Sequence, residues 1–179
     1  MMGSFIDKTD QLESFNLLFK QNYTKIFLTI YFYTNDRYIA EEAVQQAFII
    51  AFKKINDLKN KDKFVSWVTS IAINEAKHLL KKQSEDKIIS LTDIHQNLYS
   101  KDIEESVDIK NDVQNVLKQL KDQEAEILVL KYITDLPLRQ ICDLLGINIS
   151  NAKIRLLRAR KSFRSLIEET FNKEIGGGL

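Results

Sequence analysis

Between Ile147 and Phe163 the chain reads INISNAKIRLLRARKSF, which holds five Lys or Arg residues and no acid in a protein of formal net charge +1. Carried on to Ile167, the basic set is Lys153, Arg155, Arg158, Arg160, Lys161 and Arg164, still without an acid. Side chains of this kind, held on one helix, neutralise phosphates. At ~100° per residue, Ala152, Leu156, Ala159, Phe163, Leu166 and Ile167 fall on one side of such a helix. Ser150, Lys153, Ile154, Leu157, Arg158 and Lys161 fall on the opposite arc. A solvated basic face is the plain reading of a charge run. Ile154 and Leu157 count against it, because water offers them nothing, whereas thymine methyls or deoxyribose would. A neighbouring helix that buries them is the other outcome.

Other chemistry lacks its parts. Two His, one Cys and no GxxxxGK or GxGxxG loop leave phosphate cradles and zinc sites unsupplied, so neither an enzyme nor a cofactor is expected. Three of the five Gly stand together at Gly176 to Gly178 and read as a flexible end, not a site. No apolar run approaches the ~20 residues that span a bilayer, and MMGSFIDKTD lacks the layout of a secretory signal. A single Cys142 excludes an internal disulfide and suits a reducing compartment. The expectation is a cytoplasmic protein with no membrane insertion.

The elements that must hold the basic stretch are helices. The chain of 179 residues has one Pro, few Gly and no sustained alternation of polar and apolar residues. Charge is segregated along it. From Ser84 to Asp112 eight acids meet three bases, a net of −5, among many Ser, Asn and Asp. That stretch, 84–112, reads as an acidic linker between folded segments at 11–83 and 113–170. Its charge fits either an ordinary solubilising linker or a segment that folds against the basic helix in the free protein.

In the second segment, Val113, Val116, Leu117 and Leu120 make an apolar stripe. Asp122 is placed to cap the next helix, roughly Gln123 to Ile133, with Ile127, Leu128, Leu130 and Tyr132 as its apolar residues. Pro137 suits the first turn of a third helix. Ile141, Cys142, Leu144 and Leu145 bury one side of it, and Gly146 ends it. The basic helix follows. Two short helices joined by a glycine turn, the second with a cationic outer face, make a helix-turn-helix that enters the DNA major groove.

In the first segment, NDRYIAEEAVQQAFIIAFKKI is a helix with Ala40, Val44, Phe48, Ala51 or Phe52, and Ile55 inward. Upstream, Phe15 to Tyr33 is helical by spacing, although Thr29 to Tyr33 also fits a strand. Downstream, FVSWVTSIAINEAKHLLKK places Phe64, Trp67 or Val68, Ile71, Ala72, Ala76 and Leu79 or Leu80 on one face. The fold class is therefore all-α, two small helical domains joined by a linker. By these residues alone Trp67 is a core anchor, His78 a surface residue, and Gln45 and Gln46 simply solvated.

Three motifs in register go further. IAEEAVQQAF resembles Ala-Glu-Asp-Leu-Val-Gln-Glu-x-Phe, and FVSWVTSIAINEAKHLL resembles Phe-x-x-Trp-Leu-x-x-Ile-Ala-x-Asn, both patterns of the sigma-70 family. LKDQEAEILVLKYITDLPLRQICDLLGINISNAKIRLLRARKSF resembles the C-terminal domain of that family's extracytoplasmic-function type. The resemblance implies a factor that binds core bacterial RNA polymerase, reads a promoter and opens it, with no catalysis of its own. By it, Glu41, Glu42, Gln45 and Gln46 contact the polymerase clamp helices. Lys59, Asn60, Lys61 and Lys63 of the Ile55–Lys63 loop, with Asn74, Lys77, His78 and Lys81, hold the non-template strand of the minus-ten box. Arg139, Ser150, Asn151, Lys153, Ile154, Arg155, Leu157, Arg158 and Lys161 bind the minus-thirty-five box. Members of the family commonly have Ser and His where Ile154 and Leu157 stand, so the preferred promoter is not carried over. An anti-sigma factor is a further partner of the type. Two rivals keep other parts of the pattern: a stand-alone helix-turn-helix regulator, and a sigma-like decoy that binds polymerase without reading a promoter.

Overall fold

The computed structural model describes residues 8–86, 113 and 115–176, and the chain divides into two compact units, the first ending at Asp86. The linker reading of 87–112, with its proposed contact to the basic helix, lies outside the described residues.

The first unit is a three-helix bundle of α1 (Lys8–Thr34), α2 (Arg37–Lys53) and α3 (Phe64–Asp86). Thr29 to Tyr33 is helix, not strand: the buried Thr29 hydroxyl donates to the Lys25 carbonyl at 2.7 Å, so its polar group is satisfied inside the turn. The α1–α2 corner is made by Thr34-Asn35-Asp36. Asn35 takes the left-handed φ of 49° that closes a helix. The Asp36 side chain then accepts from the Ile39 N–H at 3.0 Å and caps α2. The inward face of α2 is built on Ala40, Ala43, Ala47 and Ala51, all fully buried, which lets α1 and α3 approach closely. Over that narrow floor Phe48 joins an aromatic cluster with Phe15, Phe19 and Phe64. Of the alternatives left by the sequence, Ala51 is buried and Phe52 exposed; Val68 is buried and Trp67 only half-buried. The expectation of Trp67 as a core anchor is thus only partly met. Ile73, absent from the expected core, is buried. α3 also runs through Asp86, so Ser84 to Asp86 extend the helix rather than begin the linker.

The second unit packs helical residues 115–119, α4 (Asp122–Leu128), α5 (Leu138–Leu145) and α6 (Ile149–Gly176). Val116, Leu117 and Leu120 are buried, as their spacing predicts. Asp122 does not cap α4. The cap is Lys121, still extended at ψ 140°, and Asp122 lies in the first turn, where a carboxylate meets the positive end of the helix. α4 continues as a π turn, Val129–Ile133, whose extra residue puts later side chains out of phase with an α-helix. Tyr132 is accordingly not in the core: it is exposed, its ring lying 5.5 Å beneath the Arg160 guanidinium and its hydroxyl accepting from Arg160 Nε at 2.6 Å. Leu136, from the following loop, fills the core instead. Pro137 stands one residue before α5. Gly146 ends that helix at φ 66°, ψ 32°, the left-handed cap that a residue without a Cβ adopts at little cost. The turn it makes aims α6 across the domain.

Candidate nucleic-acid interface

α6 is started by Asn148, whose Oδ1 accepts from the Asn151 N–H at 2.8 Å. Behind it, Ala152, Leu156 and Ala159 are buried and fix which side of the helix faces out. Ser150, Asn151, Lys153, Ile154, Leu157, Arg158 and Lys161 are all exposed on the other side, and Arg139 is exposed on α5. Ile154 is 49% and Leu157 68% exposed, so no helix of this unit buries them. The face is apolar at its centre, with Lys153, Arg158 and Lys161 around it on α6 and Asp122 and Glu124 of α4 in the recess beside Ile154.

Arg155 does not join it. Its guanidinium donates to Glu126 Oε2 at 2.6 Å and to the Gln123 carbonyl, tying α6 to the start of α4. Both side chains are less than one third exposed, so the pair is worth more than a surface ion pair. Arg155→Ala should lower the stability of this unit by about 2 kcal/mol, read as an earlier urea midpoint. Arg158→Ala, by contrast, should shift it by no more than about 0.5 kcal/mol. Unchanged stability with lost DNA binding in Arg155→Ala would return the residue to the phosphate-binding set.

In the first unit, Asn74, Lys77, His78 and Lys81 are exposed on α3 at the spacing of one helix face. The preceding loop is shaped by two short 3-10 turns, Ile55–Asp57 and Lys61–Lys63. Asn60 Oδ1 accepts from the Asp62 N–H at 2.9 Å, which fixes the oxygen in the loop and leaves the NH2 end to donate. Lys59, Lys61 and Lys63 are exposed around it. Under the loop lies an open recess of about 480 Å³, walled by Phe15, Leu18, Leu58 and Phe64 with Asn56 and Lys61 among its polar lining.

On α2, Gln45 and Gln46 are exposed while Glu41 and Glu42 are half-buried. Glu41 is held by Arg37, Nε to Oε1 at 2.9 Å. Nearby, burial pushes the Tyr23 phenol above its ordinary range; Glu41 adds to the shift and Arg37 opposes it, so the ring stays neutral. Tyr38, Ile49 and Phe52 share the exposed face with Gln45, at 74%, 47% and 40% exposure. None of the three motifs singles them out, although their seven- and four-residue steps from Gln45 place them on its face. Among the described residues no group of His, Cys, Asp and Glu could hold a metal ion, and no helix is long and apolar enough to cross a membrane.

Comparison with known proteins matches the family model described as Sigma-70 region 2 at residues 18–85, and that of Sigma-70, region 4 at residues 110–163. The ECF RNA polymerase sigma factor SigW of Bacillus subtilis is 27% identical over 157 residues, covering 81% of this chain and 84% of that protein. SigM of the same organism is 26% identical over 144 residues, 79% of this chain and 87% of that one. Among solved structures, the sigma factor RpoE in complex with the anti-sigma factor NepR from Bartonella quintana shares the fold at a TM-score of 0.66 and 18% identity, over 87% of this chain and 98% of that one. CnrH in complex with the cytosolic domain of CnrY shares it at 0.63 and 16%, over 88% and 90%. Two regions of one family, found in order and one in each compact unit, settle the assignment: the chain belongs to the sigma-70 family of RNA polymerase sigma factors, in its extracytoplasmic-function branch.

Proposed function

We propose a division of labour among these surfaces. The exposed face of α2, with Glu42, Gln45 and Gln46, docks the chain on core RNA polymerase. The α3 face, Asn74, Lys77, His78 and Lys81, and the Lys59–Lys63 loop hold the unpaired non-template strand of the minus-ten box. The recess under that loop takes a base that has left the stack, with apolar walls against its ring and Asn56 and Lys61 at its edge. The outward arc of α6, with Arg139, grips the minus-thirty-five box. Residues 11–83 thus form the strand-opening domain and 113–170 the upstream reader, joined by the acidic segment between them.

The observation that carries this reading is one polar, basic face on each unit, each backed by buried apolar residues that hold it outward. Neither reader alone selects a promoter. Joined through polymerase, they combine by effective concentration, and binding energy is converted into strand opening. The setting is the cytoplasm, where core polymerase and promoter DNA are found. An anti-sigma protein is the further partner this reading predicts, by analogy with the RpoE complex.

The test is transcription by core polymerase supplied with the purified full-length chain, on promoters selected from random DNA. Promoter-dependent transcripts are the expected result, with open-complex formation lost in the variant carrying Asn74→Ala, Lys77→Ala and His78→Ala while polymerase co-purification is retained. Co-purification without transcripts would establish the decoy instead, and specific DNA binding without polymerase the stand-alone regulator.

A further inference from the structure

The centre of the α6 outward arc carries the strongest unabsorbed observation. Ile154 and Leu157 stand three residues apart, 49% and 68% exposed. The buried stripe of Ala152, Leu156 and Ala159 fixes their direction, so they are not core residues displaced by a loose helix. Around them lie Ser150, Lys153, Arg158 and Lys161, all exposed, and no acid occurs between Ile149 and Ile167. On α6 itself this exposed apolar pair is flanked by cations and polar groups, while Asp122 and Glu124 of α4 share a recess with Ile154 on one side. The cationic flank fits a polyanion whose interior presents methyl groups. DNA offers that combination in the major groove, where the thymine 5-methyl is the apolar feature of a base edge.

We infer that Ile154 and Leu157 are the specificity-determining residues of this chain's upstream element, and that they read the 5-methyl groups of two thymines. The inference rests on α6 being the promoter reader. Residues three apart on a helix have Cβ atoms about 5–6 Å from one another. Base pairs stack at about 3.4 Å along each strand, so the two methyls belong to neighbouring or next-neighbouring base pairs. Lys153, Arg158 and Lys161 position the helix on the phosphates flanking those pairs and carry less of the sequence choice.

The experiment selects the upstream element from random DNA with holoenzyme, the full chain on core RNA polymerase. Each thymine of the selected element is then replaced by deoxyuridine, which deletes the 5-methyl and keeps every hydrogen-bonding group. Two thymines should each lose about fourfold in affinity, the ~0.8 kcal/mol of a buried methyl converted at 1.4 kcal/mol per tenfold. One loss should vanish in Ile154→Ala and the other in Leu157→Ala; both positions are solvent-facing, so helix and fold are kept. An element without thymines at adjacent or next-adjacent pairs overturns the inference, as does uracil replacement without effect. Loss of affinity in Ile154→Ala with no uracil effect would place the contact on deoxyribose and also overturn it. In all these cases a selected element and transcription still stand for the promoter-reading role of α6. Failure to select any upstream element sinks that role, and this inference with it.

Discussion

Replacing Lys153, Arg158 and Lys161 together by alanine lowers the affinity of the chain for its upstream DNA by about 500-fold at ~0.1 M salt, if each of the three neutralises one phosphate. The figure follows from counterion release. Three phosphate contacts contribute about 2.7 to the slope of log affinity against log salt, and the gain disappears near ~1 M. The decade of salt between the two conditions therefore separates native and variant by about 2.7 log units. The measurement is an anisotropy titration repeated at several salt concentrations, with the slope as its readout. All three side chains are exposed and alanine is the best helix former, so α6 remains folded and the docking proposed for α2 should be untouched. A variant whose slope equals that of the native chain would show that these cations face only water.

The second large effect is on stability. Phe48→Ala should destabilise the first unit by about 3–5 kcal/mol, a substantial part of the ~5–15 kcal/mol that holds a domain together. Phe48 is 3% exposed, and its ring meets Phe19 at 4.8 Å, Phe15 at 6.3 Å, Tyr23 at 6.4 Å and Phe64 at 6.5 Å between centroids. Removing it opens a cavity among these four rings of α1 and α3. Urea unfolding followed by near-ultraviolet circular dichroism should show the loss directly. Four residues along the same helix, the exposed Phe52 makes its edge contact with Phe15 at 5.0 Å from outside the core, so Phe52→Ala should cost less than about 1 kcal/mol. Equal losses at the two positions would mean that the bundle is packed differently. The functional consequence is also distinct. On the proposed division of labour, Phe48→Ala should weaken polymerase docking and strand holding together, because one core positions both faces, whereas the α6 variant should lose upstream binding alone.

Much of this protein was determined by its sequence alone. The 3.6-residue period of α6 assigns Ala152, Leu156 and Ala159 inward and Ser150, Lys153, Ile154, Leu157, Arg158 and Lys161 outward, because burial of apolar surface acts on whichever stripe is continuous. Gly146 marks the turn because its left-handed φ costs other residues a steric clash with their own Cβ. The motifs sufficed for the family, since order and spacing of residue types are what a family pattern consists of. Three further matters were left to tertiary structure. Arg155 looks like any other cation in its run; only the approach of Glu126, 29 residues earlier, turns it into a brace between α6 and α4. Spacing cannot choose between Ala51 and Phe52, or between Val68 and Trp67, when two residues straddle the edge of a stripe. Contact with the neighbouring helices chooses, and in each pair the smaller side chain is the one buried. Tyr132 left the core because a π turn changed the period on which its placement depended. Local pattern decides which side of a helix faces in; contacts between residues far apart in the chain decide what each side chain meets there.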